Sequence, residues 1–157
     1  MKRRTALALG AGTLLGGAGL WAATDVAGGG GREEQHTGTA VMERHFPALG
    51  PLVSARWVTS RDNERTLPSP DFVVTAVLRL QPGRAAALIA GGGFTDDHDG
   101  VSLSWFEKPL AGLQPPGAAW VRSEAFDATV TAEFEHGRCS LDPATDTAFL
   151  TAINPTA

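Results

Sequence analysis

Tyrosine is absent from this chain, lysine occurs twice and cysteine once. The lone Cys139 excludes an intrachain disulfide, so even in an oxidising compartment the fold must be held by core packing. Positive charge is also scarce. Thirteen Lys and Arg stand against 17 Asp and Glu, a net charge of -4, and the densest basic cluster, Lys2-Arg3-Arg4, lies at the extreme N-terminus. A nucleic-acid binder needs a basic face to displace counterions, so that class is excluded. There is no Ser nucleophile elbow, no Gly loop followed by Lys for phosphate, no paired metal-ligand spacing and no dinucleotide fingerprint. The Gly91-Gly92-Gly93-Phe94 run ends an apolar helical segment instead of opening one, the wrong side for phosphate. No cofactor is implied.

What is present begins with Thr5 to Thr24, twenty residues without a charge behind the basic start. As a helix this run would span ~30 Å, the thickness of a bilayer core, whereas the apolar part of a signal peptide runs ~7 to 15 residues. Cleavage needs small residues one and three positions before the cut, and Trp21 spoils a cut after Ala23 while Leu20 spoils one after Ala22. A cut after Thr24 leaves Ala22 in place, and five glycines (Gly10, Gly12, Gly16, Gly17, Gly19) weaken the helix, so secretion after cleavage is the alternative. The charge flanks put the basic end in the cytoplasm and the rest outside. The expectation is therefore a single-pass cell-membrane anchor over residues 5–23 within a segment 1–24, a Gly-rich tether over 25–40 and an extracytoplasmic domain over 41–157.

The 117 residues from Val41 to Ala157 hold nine Lys and Arg against 14 Asp and Glu and show no repeat. Leu52 to Val58 alternates as a half-buried strand, with Val53, Ala55 and Trp57 on one side and Ser54 and Arg56 on the other. The mixed-charge stretch Thr59 to Asp71 reads as a long loop. Phe72, Val74, Ala76, Leu78 and Leu80 share one face of a strand whose other face carries Val73 and Val77, as in a central strand. Pro82 suits the first turn of a short helix ended by Gly91. Val101, Leu103 and Trp105 alternate in a further strand, and three runs from Ala128 to Ile153 read as a meander with corners at Gly137-Arg138 and Asp142 to Thr145. The fold expected is α+β: a mostly antiparallel sheet of five or six strands with one or two short helices, preceded by the N-terminal apolar helix.

Three groups of residues could carry chemistry. If Gly137-Arg138 is a two-residue turn, His136 and Cys139 face each other across it and form a Cys-His dyad at the rim of the core. Asp96, Asp97, His98 and Asp99 cluster before Gly100 as in a cation loop, although aligning Asp99-Gly100 with a calcium loop puts Thr95 and Phe106 where carboxylates belong. Arg61, Asp62, Glu64 and Arg65 lie in the long loop, a place for partner contacts. Trp57, Trp105 and Trp120 could line a sugar or peptide surface, but two of them sit on the apolar faces of expected strands.

The basic start, the Gly/Ala-rich apolar run, 11 Arg against two Lys, the absent Tyr and the order PSPDF, GAAW, SEAFD, NP resemble short exported or membrane-anchored proteins of high-GC actinomycetes, a group with no common activity. The resemblance implies an exported origin and carries no site residues. The preferred reading is a non-catalytic binding or accessory module meeting an envelope protein or component through the Arg61 to Arg65 loop or the Asp96 to Asp99 turn. The alternative is a small hydrolase or thiol-dependent enzyme using His136 with Cys139, or His98 with the neighbouring aspartates.

Overall fold

The computed structural model describes residues 34–61, 72–97 and 108–155. Among these it is an α+β fold, with seven strands where five or six were expected and three short helices where one or two were. The strands are β1 (Glu34–Thr37), β2 (Leu52–Arg61), β3 (Phe72–Leu80), β4 (Thr95–Asp96), β5 (Val121–Arg122), β6 (Phe134–Asp142) and β7 (Thr147–Pro155). They form one sheet in the order β1-β2-β3-β7-β6-β5-β4, every neighbouring pair antiparallel. The chain builds three strands outward to inward, crosses to the far edge at β4, and returns strand by strand until β7 closes against β3.

β3 earns its central position from its residues. Val74, Ala76, Leu78 and Leu80 are buried on the core side, while Val77 on the other side packs under a second, smaller cluster of Val58, Leu110, Trp120 and Phe149. In β2, Ala55 and Trp57 face the main core as their alternation requires, but Val53 is 55% exposed. A bulge between Leu52 and Ser54 in the register with β3 turns Val53 outward and puts Leu52 inside instead.

The helices α1 (Thr39–His45), α2 (Arg84–Ala90) and α3 (Glu124–Val130) contribute Met42, Ala85 and Val130 to the main core. α2 lies where the apolar spacing put it, with Ala85 buried and Leu88 and Ile89 packed on the core, but it starts at Arg84. Pro82 and Gly83 form a β-turn first, closed by Arg84 N–H donating to the Gln81 carbonyl at 2.9 Å, with Gly83 at φ +78°. That is a type II turn, which needs the left-handed conformation at its third residue. The α2 start is tied across the molecule: Asp146, in the β6–β7 corner, accepts from Gly83 N–H at 2.8 Å and Ala85 N–H at 3.0 Å.

Two expectations fail here. The tether ends before residue 40, because Glu34–Thr37 pairs with β2 and Thr39 opens α1. The meander corner at Gly137-Arg138 does not exist either: Ala128 to Val130 belongs to α3, and β6 runs unbroken through Gly137 opposite Ala152 of β7. Gly137 is glycine because of a close approach, since a Cβ there would lie 2.2 Å from Thr131 Cγ2 at the end of α3. The corner expected from Asp142 to Thr145 forms one residue later, between the end of β6 at Asp142 and the start of β7 at Thr147. The Val101 to Trp105 strand and the N-terminal apolar helix lie outside the described residues. Among the described residues no helix is long and apolar enough to cross a membrane.

Candidate functional site

The Cys-His dyad falls with the missing turn. Three positions apart on one strand, His136 and Cys139 project to opposite faces. His136 is exposed, whereas Cys139 is fully buried in the main core. Burial pushes the Cys139 thiol well above the ordinary thiol range, and the negative Asp127 nearby pushes it further. A thiol held neutral in an apolar core is not a nucleophile.

The acidic turn also divides. Asp96, in β4, is exposed, while the side chain of Asp97 is only 5% exposed. Asp97 is fixed from β6: Arg138 donates to one carboxylate oxygen and the Ser140 hydroxyl to the other at 2.7 Å. Burial alone would raise the Asp97 carboxyl. The hydrogen bonds from Arg138 and Ser140, with the charges of Arg138 and Arg122, outweigh it and hold the group below its usual value. Asp97 is thus a strand-to-strand clamp. His98 and Asp99 lie outside the described residues, and among those described no group of three or more His, Cys, Asp or Glu stands together to hold a metal ion. Of the loop candidates, Arg61 closes β2 opposite Phe72, and Asp62, Glu64 and Arg65 lie outside the described residues, as does Trp105. Trp57 and Trp120 are core residues at 3% and 7% exposure, so neither offers a binding face.

A site does take shape around two residues that the sequence reading passed over, Arg122 and Asp127. β6 has nine residues and its outer neighbour β5 only two, so most of the β6 edge lacks a strand partner there. α3 covers it. The buried Asp127 accepts from Cys139 N–H at 2.8 Å, taking the place of a ladder carbonyl, and from Arg122 Nε at 2.6 Å. An uncovered strand edge is a liability that a helix and a charged side chain relieve together. The local sequence is built for this: Ser123 caps α3, its hydroxyl accepting from Phe126 N–H, and Glu124 and Asp127 lie in the first turn where the helix dipole favours carboxylates. Serine followed by two acids before Val130 is the signal that would have found the helix.

On either side of Arg122 a cleft opens. One, of about 610 Å³, is lined by Thr95, Asp96, Asp97, Arg122, Ser123 and Glu124 among others. The second, of about 530 Å³, shares Arg122 and Glu124 and extends past Asp127 to Glu135 and His136. Arg122 is matched by Asp127, and Asp97 by Arg138. In the first cleft this leaves Asp96 and Glu124 as the carboxylates without a cation among the described residues, so its uncompensated charge is negative. No protein-family model, no curated protein and no solved structure matches this chain.

Proposed function

We propose that the chain is a non-catalytic binding or accessory module, attached to the membrane through residues 5–23 with its domain outside, and that it receives a cationic group of a protein partner in the cleft beside Arg122. The observation that carries this reading is the pairing inside the cleft. Its nearly buried carboxylates are already matched, Asp127 by Arg122 and Asp97 by Arg138, which gives rigid walls, while Asp96 and Glu124 at the surface keep their charge for a partner. The burial of Cys139 speaks against the thiol enzyme in the same way.

A lysine-rich peptide titrated into the full chain should give saturable binding that weakens with salt and with Glu124→Gln or Asp96→Asn. Absence of binding, or binding indifferent to both substitutions, would overturn the assignment. Alkylation of Cys139 should require unfolding; rapid labelling of the native chain near neutral pH would restore the thiol alternative. The membrane attachment is read from the intact mass of the chain isolated from its membrane, where a start near Asp25 would mean removal of the segment and secretion.

A further inference from the structure

On the sheet face opposite the helices, β2 and β3 carry a groove of about 230 Å³ lined by Ser54, Arg56, Val77, Leu78, Arg79, Leu113 and Thr147. The register pairs Arg56 with Val77 and Ser54 with Arg79, so the two arginines are diagonal neighbours on adjacent strands. Such positions lie ~7 to 8 Å apart, close enough for both guanidiniums to reach one small ligand. Both residues are exposed, and among the described residues neither meets a carboxylate. In a chain where acids outnumber bases, two adjacent arginines left without counter-charge are unusual.

Arg79 is also held in place from below. It donates to Thr147 Oγ1 at 3.1 Å, Thr147 Oγ1 meets Thr145 Oγ1 at 2.8 Å, and Thr145 donates to the fully buried Asp142 at 2.5 Å. Asp142 is the one carboxylate of this network and is separated from the groove by the two hydroxyls. Arg79 therefore enters the groove from a fixed base, while the Arg56 guanidinium and the Ser54 hydroxyl have no hydrogen-bond partner among the described residues and can donate. Leu113, 36% exposed, forms an apolar wall.

We propose that this groove binds the phosphate group of an organic ester, whether a soluble phosphate ester or the headgroup of an anionic lipid, between Arg56 and Arg79. A carboxylate is satisfied by one guanidinium fork, whereas the several oxygens of a phosphate can bridge two forks that come from different strands. Val77 and Leu113 would lie against the carbon part of the ester. The groove is separate from the cleft beside Arg122, so the lysine-peptide experiment succeeds or fails independently of it.

The test is arginine footprinting of the full chain with phenylglyoxal, read residue by residue by mass spectrometry, in the presence of phosphatidylcholine nanodiscs. One arm adds glycerol 3-phosphate; another replaces half of the lipid with phosphatidylglycerol. Modification of Arg56 and Arg79 should slow by about fivefold or more in at least one arm at saturating ligand, since charge-assisted bonds to phosphate are each worth about a decade in affinity, while the exposed Arg44 of α1 reacts unchanged. Protection by the soluble ester alone identifies a free ligand, and protection by the anionic lipid alone identifies a headgroup. Equal rates at all three arginines in every arm overturn the proposal, and so does protection of Arg56 that survives Arg79→Gln.

Discussion

The two regions where arginines meet the sheet use the same side chain in opposite ways. Around β5 and β6, Arg122 and Arg138 each end on a nearly buried carboxylate, and those carboxylates also hold the Cys139 backbone and the Ser140 hydroxyl. Across β2 and β3, Arg56 and Arg79 face solvent, and among the described residues their polar neighbours in the groove are hydroxyls. The difference follows from the strands. β5 is too short to cover β6, so arginine charge at that edge is consumed in closing the fold, whereas β2 and β3 pair from Leu52 to Arg61 apart from the bulge at Val53 and need no side-chain charge to stay together. Arginine charge is structural where the backbone ladder is incomplete and available where it is complete.

The largest effect should come from removing the carboxylate that substitutes for a strand. Asp127→Ala leaves the buried Cys139 N–H without its acceptor and Arg122 without its partner, a loss of about 3 kcal/mol. Urea unfolding monitored by tryptophan fluorescence measures it, and a change below about 0.5 kcal/mol, the usual range for a surface substitution, would mean that α3 does not close the edge as described. Next in size is Gly137→Ala. The added Cβ would meet Thr131 at 2.2 Å, and the displacement of α3 from β6 should cost about 2 kcal/mol. Since both the Cβ and Cγ2 of Thr131 are in the way, Gly137→Ala combined with Thr131→Gly should recover stability relative to Gly137→Ala alone; a turn at Gly137 would give no such recovery.

What could be read from sequence was what has a period. The alternation in Phe72 to Leu80 placed β3 in the centre with the correct residues on each face, and the spacing of Ala85, Leu88 and Ile89 placed α2. The failures fall on short elements without the Pro82 and Gly91 flanks that marked α2: α1 and α3 have seven residues each, as α2 does, and β4 and β5 have two. α1 begins at the end of the expected tether and was not seen, the end of α3 from Ala128 to Val130 was read as strand, and β4 and β5 were not seen. Gly137 misled because glycine supports both a turn and a close approach, and only the position of Thr131 decides between them. The site was legible in part: Asp96 and Asp97 do line a cleft, but its organising pair depends on Asp127 reaching an edge that exists only once β5 has ended.

The acid side of the comparison has a pH signature. The Asp97 carboxyl titrates below its ordinary value of 3.8 in the folded chain, so the stability it contributes is complete above that value and is lost as pH falls through the folded one. Asp97→Asn, which removes the charge facing Arg138, should destabilise by about 1 kcal/mol near neutral pH. The gap from the parent chain should close as both are acidified below pH 3.8. A gap that stays constant with pH would show that the Ser140 hydrogen bond, and not the charge, does the holding.

The smallest expected effect is the one that isolates the unpaired arginines. Arg56→Gln removes a charge that no carboxylate among the described residues meets and relieves its repulsion with Arg79, so stability should change by less than about 0.5 kcal/mol and increase if it changes at all. Arg122→Gln, by contrast, strands the buried Asp127 and should cost at least about 1.5 kcal/mol. Both substitutions shorten the same side chain by the same chemistry, so the contrast between them, measured in one urea series, reports pairing and little else. Equal losses at the two positions would mean that Arg56 is also consumed by the fold and is not free to hold an anion.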